Sequence, residues 1–215
     1  MATKVLIDNG HGANTPGKHS PDMRLREYAW AREIAKRVVD GLKAKGVDAQ
    51  LLTPEQYDVS ISTRAIRANR WCVERGTKNV VVVSIHSNAA GSDNQWHSAK
   101  YWSAWVYREV VKKAGKVVCI KEASAASKRL ATIFSEGARK RGWQVSRNER
   151  GDYQDANFGI LRETMCPAVL TENFFQDNKE NVAFLLSEDG KKQITDLHIE
   201  CILKYIGDAK DTIGK

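Results

Sequence analysis

Short apolar runs alternate with helix-length amphipathic patterns along this chain. The apolar runs predict strands at 4–8, 47–52, 80–85, 102–111 and 167–172, with a shorter strand at 143–150. Apolar residues three or four positions apart predict helices over 25–45, 60–75, 123–141, 178–187 and 189–206. Such alternation is typical of a mainly parallel sheet with helices on both faces. No repeat or linker interrupts the pattern, so residues 1–215 are predicted to form one domain.

Polar side chains with metal-binding or acid–base chemistry stand at the ends of three predicted strands. His11 follows the first strand, His86 ends the strand at 80–85, and Glu172 ends the last one. Because ligands of open parallel sheets bind beyond the carboxyl ends of the strands, we expect these residues to surround one crevice. Glu27, at the front of the first helix pattern, is placed to reach the same edge.

Two imidazoles and a carboxylate are a ligand set that catalytic zinc sites use, with one position left for water. A second carboxylate then serves proton transfer. The glycines on either side of His11 allow a sharp turn and a close backbone approach. The pattern alone leaves another interpretation open, in which His11 is a loop histidine, His86 a core histidine, and Glu27 and Glu172 ordinary surface acids.

Composition narrows the class of protein without identifying a reaction. Charged residues make up 28% and apolar residues 42% of the chain, as in ordinary globular proteins. No apolar run is long enough to span a membrane. The net charge of +8 favours anionic partners, but the basic residues are spread along helix faces without a nucleic-acid-binding motif, so we expect solvated faces and no nucleic-acid partner. The 4 cysteines form no CxxC pair and are expected to be buried thiols.

Four ordered motifs extend this picture. The first is Val5-Leu6-Ile7-Asp8-Asn9-Gly10-His11-Gly12 with Pro16-Gly17, and the second is Ser60-Ile61-Ser62-Thr63-Arg64 with Ala68-Asn69. The third is Val83-Ser84-Ile85-His86-Ser87-Asn88-Ala89, and the fourth joins Gly159-Ile160-Leu161-Arg162 to the segment 167–175. Together they resemble the zinc-dependent N-acetylmuramoyl-L-alanine amidases of the amidase-3 type. The resemblance covers residues 3–207, almost the whole chain.

The resemblance implies a three-layer α/β fold with a twisted, mostly parallel six-stranded sheet. It also implies one zinc ion held by His11, Glu27 and His86, with Glu172 as the catalytic acid and base. The implied substrate is the peptidoglycan amide between N-acetylmuramic acid and L-alanine. The chain departs from the family pattern at Ala13, Thr15 and Phe174, where Gly, Asp and Gly are usual. These departures concern the shape of the substrate groove rather than the reaction.

Further assignments are weaker. Arg162 is a candidate for binding a substrate carboxylate or anchoring Glu172, with a structural salt bridge as the alternative, and Asn88 is a candidate for the groove rim. Asp8 is a candidate acceptor behind His11, with the alternative that it simply ends the first strand. Trp96, Tyr101, Trp102 and Trp105 are candidates for stacking on sugars, although the opposite parity of Trp102 and Trp105 along a strand predicts that at least one of them packs in the core. His19, His97 and His198 are expected not to bind metal.

Two other functions remain open at this stage. One is a different zinc peptidase or deacylase on a similar fold, and the other is a non-catalytic cell-wall-binding protein. We expect a monomer that acts on the cell wall, either after removal of a leader or, as in phages, after release from the cytoplasm. The sequence shows no signal peptide at its start. It does not decide whether segment 89–125 blocks the site.

Overall fold

The computed structural model describes the backbone of residues 2–213 and the side chains of residues 2–208. Its strands are β1 (Lys4–Asn9), β2 (Ala49–Leu51), β3 (Val80–Asn88), β4 (Ser103–Lys113), β5 (Lys116–Glu122), β6 (Gln154–Ala156) and β7 (Ala168–Phe175). Its α-helices are α1 (Glu27–Ala44), α2 (Ile61–Arg75), α3 (Ala125–Lys140), α4 (Gly159–Glu163), α5 (Lys179–Leu186) and α6 (Glu188–Ile213). A 3-10 turn at Thr77–Asn79 leads into β3.

The sheet runs in the order β2-β1-β3-β7-β4-β5, with β6 beside β4. Strands β2, β1, β3 and β7 are parallel to one another, and β4 is antiparallel to β7. Strand β5 returns from β4 as an antiparallel hairpin, while β6 is parallel to β4. The carboxyl ends of β1, β3 and β7 therefore meet at one edge, next to the amino end of β4.

Two apolar layers cover the two faces of the sheet. Alternate residues of β3 divide between them: Val81 and Val83 pack with α1, α3 and α6, whereas Val80 and Val82 pack with α2 and α4. Strands buried on both faces are expected to be continuously apolar, as the first four residues of β3, Val80 to Val83, are. This arrangement confirms the predicted three-layer α/β fold with a mostly parallel sheet.

Helix ends follow local capping chemistry. The Ser60 side chain accepts a hydrogen bond from the backbone N–H of Thr63 at the start of α2. Ser124 does the same for α3, and Asn178 does so for α5. Such side chains satisfy backbone N–H groups that have no partner within the helix. Four of the five predicted helices are confirmed to within two residues at each end, whereas the last continues to Ile213, well beyond its predicted end at residue 206.

Several predictions about the sheet were wrong in detail. The described residues form seven strands rather than six. Segment 143–150 is not a strand; isolated bridges join Val145 to Trp102 and Asn148 to Gly151. Strands β5 and β6 and helix α4 were not predicted. Cys119 lies exposed on β5, whereas the other three cysteines are buried as expected. Among the described helices, none combines the length and the apolar character needed to cross a bilayer.

Candidate active site

The four residues predicted to share a crevice come together at the carboxyl edge of the sheet. His86 of β3 and Glu172 of β7 occupy paired positions of adjacent parallel strands. His11 lies two residues beyond β1, and Glu27 is the first residue of α1. The backbone N–H of Glu27 donates to the carbonyl of Lys18 at 2.9 Å, which ties the start of α1 to the loop that follows His11.

The backbone around His11 is tightly constrained. His11 has a φ of 57°, in the left-handed region that is unfavourable for residues other than glycine. A Cβ on Gly10 would lie 2.6 Å from Nδ1 of His86, and one on Gly12 would lie 1.9 Å from the backbone nitrogen of Asp58. The predicted close approach at both glycines is therefore confirmed. Arg32 further fixes the turn by donating to the His11 carbonyl at 2.9 Å.

His11, Glu27 and His86 form the one candidate metal-binding group of three such side chains within the described part of the chain. Each offers a ligand atom, and these atoms all lie within 4.8 Å of one another. Nδ1 of His86 is 3.1 Å from one Glu27 oxygen, and Nε2 of His11 is 3.5 Å from the other. Glu27 is almost fully buried, and its Oε1 also accepts the backbone N–H of Ser87. A carboxylate and two nitrogens converging in this way fit a zinc ion.

A hydrogen-bonded series supports His86 from behind. Nε2 of His86 is 3.2 Å from the Ser84 hydroxyl, which donates to Oδ2 of Asp8 at 2.6 Å. Because the Ser84 hydroxyl donates its hydrogen to Asp8, it can only accept a hydrogen bond from Nε2–H of His86. The proton of the neutral imidazole is then on Nε2, and the lone pair of Nδ1 points towards Glu27. Buried Arg64 completes the series by donating to the other Asp8 oxygen at 2.7 Å. Asp8 thus acts behind His86, and its predicted contact with His11 is wrong.

Burial and neighbouring charges shift the pKa values of His11, His86 and Glu27 in different directions. Burial lowers the pKa of His11 to about 4, so this imidazole is neutral at neutral pH and free to bind a metal. Burial alone would lower the pKa of His86, but protonation of Nδ1 creates a hydrogen bond to Glu27, and this shifts the pKa upward overall. Burial would raise the pKa of Glu27, but the hydrogen bond and charge of His86 bring it below its usual value.

Glu172 has a different environment from Glu27. Burial, reinforced by the negative charge of Glu27, raises the pKa of Glu172 to about 8. Its Oε2 is buried and has no hydrogen-bond partner among the described residues. An unsatisfied buried carboxyl oxygen beside a candidate metal site is suited to exchanging a proton with a bound molecule.

A cavity of about 460 Å³ opens over these groups. His11, His86 and Glu172 line it together with Asp8, Asp58, Lys18 and Arg64. One wall is apolar and is formed by Val59, Ile61, Phe158, Ile160 and Leu170. The cavity therefore combines a candidate metal centre, a carboxyl group of raised pKa and an apolar surface.

The other sequence candidates lie outside this cavity. Arg162 donates to Asn157 at 2.7 Å and to Glu163 at 2.8 Å, and it makes no contact with Glu172, so the anchoring role is wrong. Its guanidinium nonetheless lies near Gly159 at the cavity rim, where a Cβ would be 3.6 Å from Nη2. Asn88 accepts from the backbone N–H of Ala89 at 2.8 Å. Substrate binding by Arg162 and Asn88 remains a prediction.

The remaining candidates are aromatic residues proposed to stack on sugars and histidines expected not to bind metal. Trp102 is fully buried and donates to Asn173, so stacking on a sugar is wrong for this residue. Trp105 is partly buried against the second apolar layer and Tyr101 packs on Phe175. His198 is buried between Thr171 and the carbonyl of Ile194, while His19 and His97 bond to Ser20 and Asp93. None of these three histidines belongs to the candidate metal group.

Comparison with known proteins places the chain in a family. A family model described as N-acetylmuramoyl-L-alanine amidase matches residues 5–204. The chain belongs to this amidase family. Its members hydrolyse an amide bond of peptidoglycan, and the order of motifs along the sequence agrees with this assignment.

Individual relatives are similar over most of the chain. The endolysin of Bacillus phage SPP1 is 26% identical over 216 residues, covering 100% of this chain and 70% of its own length. The sporulation-specific N-acetylmuramoyl-L-alanine amidase of Bacillus subtilis (strain 168) is 29% identical over 175 residues, which is 81% of this chain but only 56% of that protein. The chain thus spans between 56% and 70% of the length of these two relatives.

Solved structures agree with the fold. An N-acetylmuramoyl-L-alanine amidase from Clostridium difficile 630 superimposes with a TM-score of 0.75 and 26% identity, covering 96% of this chain and 97% of that one. The apo form of an amidase from Mycobacterium abscessus gives a TM-score of 0.76 at 16% identity, covering 96% and 100%. The second likeness shows the fold alone.

Proposed function

We propose that this amidase is zinc-dependent, that His11, Glu27 and His86 bind the zinc ion, and that Glu172 is its catalytic acid and base. The observation that carries the proposal is the convergence of three ligand atoms within 4.8 Å beside a carboxyl group of raised pKa. Zinc bound there supplies Lewis acidity and lowers the pKa of water to about 7. The neutral imidazole of His11 and the imidazole of His86, which is held in orientation by Ser84, are suitable ligands for that cation.

Glu172 performs the proton transfers in this proposal. As a carboxylate it accepts a proton from the water that attacks the carbonyl carbon joining N-acetylmuramic acid to L-alanine. It then gives that proton to the alanine nitrogen as the carbon–nitrogen bond breaks, because an amine anion is a very poor leaving group. Proton transfer of this kind contributes about 100- to 10,000-fold in rate. A cationic neighbour favours the carboxylate form, while burial keeps the pKa high enough to return the proton.

The cell wall is the proposed site of action, as the name endolysin of one relative indicates for that protein. The net charge of +8 favours association with an anionic wall polymer by long-range attraction. Monomeric action and the single-domain extent of 1–215 remain part of the proposal.

Digestion of purified peptidoglycan tests the reaction. The released fragments are analysed by mass spectrometry, and metal content is measured on the same preparation. The proposal expects stem peptides with a free L-alanine amine and about one zinc ion per chain. Release of D-amino acids or deacetylated sugars instead would support a different zinc hydrolase. Absence of both zinc and products would support a non-catalytic wall-binding protein.

A further inference from the structure

Two cationic side chains, Arg64 and Lys18, line the cavity, and they differ in burial and in their hydrogen bonds. Arg64 is buried and fully engaged, donating to Asp8 and to the carbonyl of Asn9 at 2.6 Å. Lys18 is only partly buried, and its ammonium group forms no hydrogen bond or ion pair with any side chain in the described range 2–208. The chain therefore presents one uncommitted positive charge to whatever occupies the cavity.

The position of Lys18 is fixed by its backbone rather than by its ammonium group. Its carbonyl accepts the backbone N–H of Glu27, so the residue is attached to the start of α1 and to the candidate metal group. Lys18 lines the cavity beside His11 and Glu172, and its positive charge partly opposes the effect of burial, which raises the pKa of Glu172. Lys18 and Glu172 thus face the same space.

The proposed chemistry decides which part of the substrate enters that space. Glu172 must protonate the alanine nitrogen, so the departing peptide lies on the Glu172 side of the scissile bond. The apolar wall formed by Ile61, Phe158 and Leu170 suits the alanine methyl group. Because Lys18 lines the same cavity, its ammonium group is the available cationic partner for a polar group of the peptide beyond the alanine.

We propose that Lys18 binds a carboxylate of the stem peptide close to the scissile bond. This makes the enzyme prefer a stem peptide with a free carboxylate on the residue after L-alanine to one in which that group is a carboxamide. A lysine ammonium forms charge-assisted hydrogen bonds with a carboxylate, and these are about twice as strong as neutral ones. The inference rests on the proposed amidase reaction and adds a binding partner to its site.

The test uses two soluble muropeptides that differ only in that carboxylate or carboxamide. Wild-type protein should cleave the carboxylate form with a kcat/KM about 10- to 100-fold higher, the range for a hydrogen bond to a charged group. Lys18→Met should bring the ratio close to 1, mainly through KM, and Lys18→Arg should retain most of the preference. Lys36→Met, which removes an exposed lysine of α1 paired with Asp40, should leave the ratio unchanged.

The outcomes separate this inference from the reaction itself. If wild type cleaves neither muropeptide, the proposed amidase reaction fails. If wild type cleaves both and Lys18→Met slows both equally, Lys18 acts only on the charge of Glu172 and the inference is overturned. If Arg162→Met rather than Lys18→Met removes the preference, the carboxylate binds at the rim instead, and the assignment to Lys18 is again overturned.

Discussion

The hydroxyl of Ser84 lies 3.2 Å from Nε2 of His86 and donates a hydrogen bond to Asp8 at 2.6 Å. This relationship fixes the imidazole so that the opposite nitrogen, Nδ1, faces Glu27. Partners behind a ligand histidine set its tautomer and orientation, and their loss commonly costs about 10- to 100-fold in metal affinity. Ser84 and Asp8 are therefore positioning residues for the candidate metal site.

Ser84→Ala should accordingly weaken zinc binding by about 10- to 100-fold, because Nε2–H loses its acceptor. The measurement is a zinc titration against a chelator of known affinity, which does not depend on turnover. Ser87→Ala is the matched control, since the Ser87 hydroxyl is buried nearby and has no hydrogen-bond partner among the described residues. Equal zinc affinity in wild type and Ser84→Ala would show that the hydroxyl does not orient His86.

Glu172→Gln should retain zinc and fold but lose about 100- to 10,000-fold in hydrolysis, because a carboxamide cannot accept and return a proton. Muropeptide cleavage measures the loss, and zinc content confirms that the metal group is intact. Glu180→Gln, which changes an exposed glutamate of α5, serves as the control. Turnover near the wild-type rate in Glu172→Gln would remove this residue from the mechanism.

The raised pKa of Glu172 also predicts how the stability of the metal-free protein changes with pH. Its folded-state pKa of about 8 lies above its ordinary value of 4.5, so the folded protein holds an extra proton between these two pH values. Its contribution to the free energy of unfolding is full below 4.5 and is lost as pH rises towards 8.

Glu172→Gln cannot ionise, so relative to wild type it should gain stability as pH rises through that window. The gain has an upper limit of about 1.4 kcal/mol per pH unit. Urea unfolding in the presence of a chelator, at several pH values, measures the difference. Parallel pH profiles for the two proteins would mean that Glu172 is not held protonated by burial.

Much of the site followed from the sequence because parallel strands end at a common edge. His11, His86 and Glu172 each close an apolar run, and that placement brought them together as predicted. The support behind His86 did not follow, because it depends on the register between β1 and β3, which pairs Asp8 with Ser84. From the sequence we expected Asp8 to contact His11, which is close to it in the chain. The register instead places Asp8 beside Ser84, which connects it to His86.

Strand β5 was missed for a different reason. Its apolar residues, including Val118 and Ile120, are exposed on a hairpin, so no buried face gives the segment a strand-like alternation. Lys18 was missed because it lies in a loop, where no periodicity indicates the direction of a side chain. The signal that would have drawn attention to it is its position between the two candidate ligands His11 and Glu27.

The sequence resemblance leads us to expect glycine at the position of Phe174, and the backbone conformation of this residue is one that favours glycine. Its φ is 62°, a left-handed conformation that costs a residue with a Cβ about 1–2 kcal/mol. The side chain is buried against Trp143 and Phe184, with ring centroids 5.0 and 5.4 Å away. Aromatic packing therefore offsets the backbone strain at this position.

Removing the ring while varying the Cβ separates these two effects. Phe174→Ala should lower the free energy of unfolding by about 3–5 kcal/mol, because the packing is lost and the strain remains. Phe174→Gly loses the same packing but relieves the strain, so it should be more stable than Phe174→Ala by about 1 kcal/mol. Urea denaturation of both variants measures the difference.

The control position is Phe184, inside helix α5, where the order should reverse, with Ala more stable than Gly by about 1 kcal/mol. If Ala is the more stable substitution at both positions, the left-handed backbone at Phe174 stores no strain, and the family's glycine there has another cause.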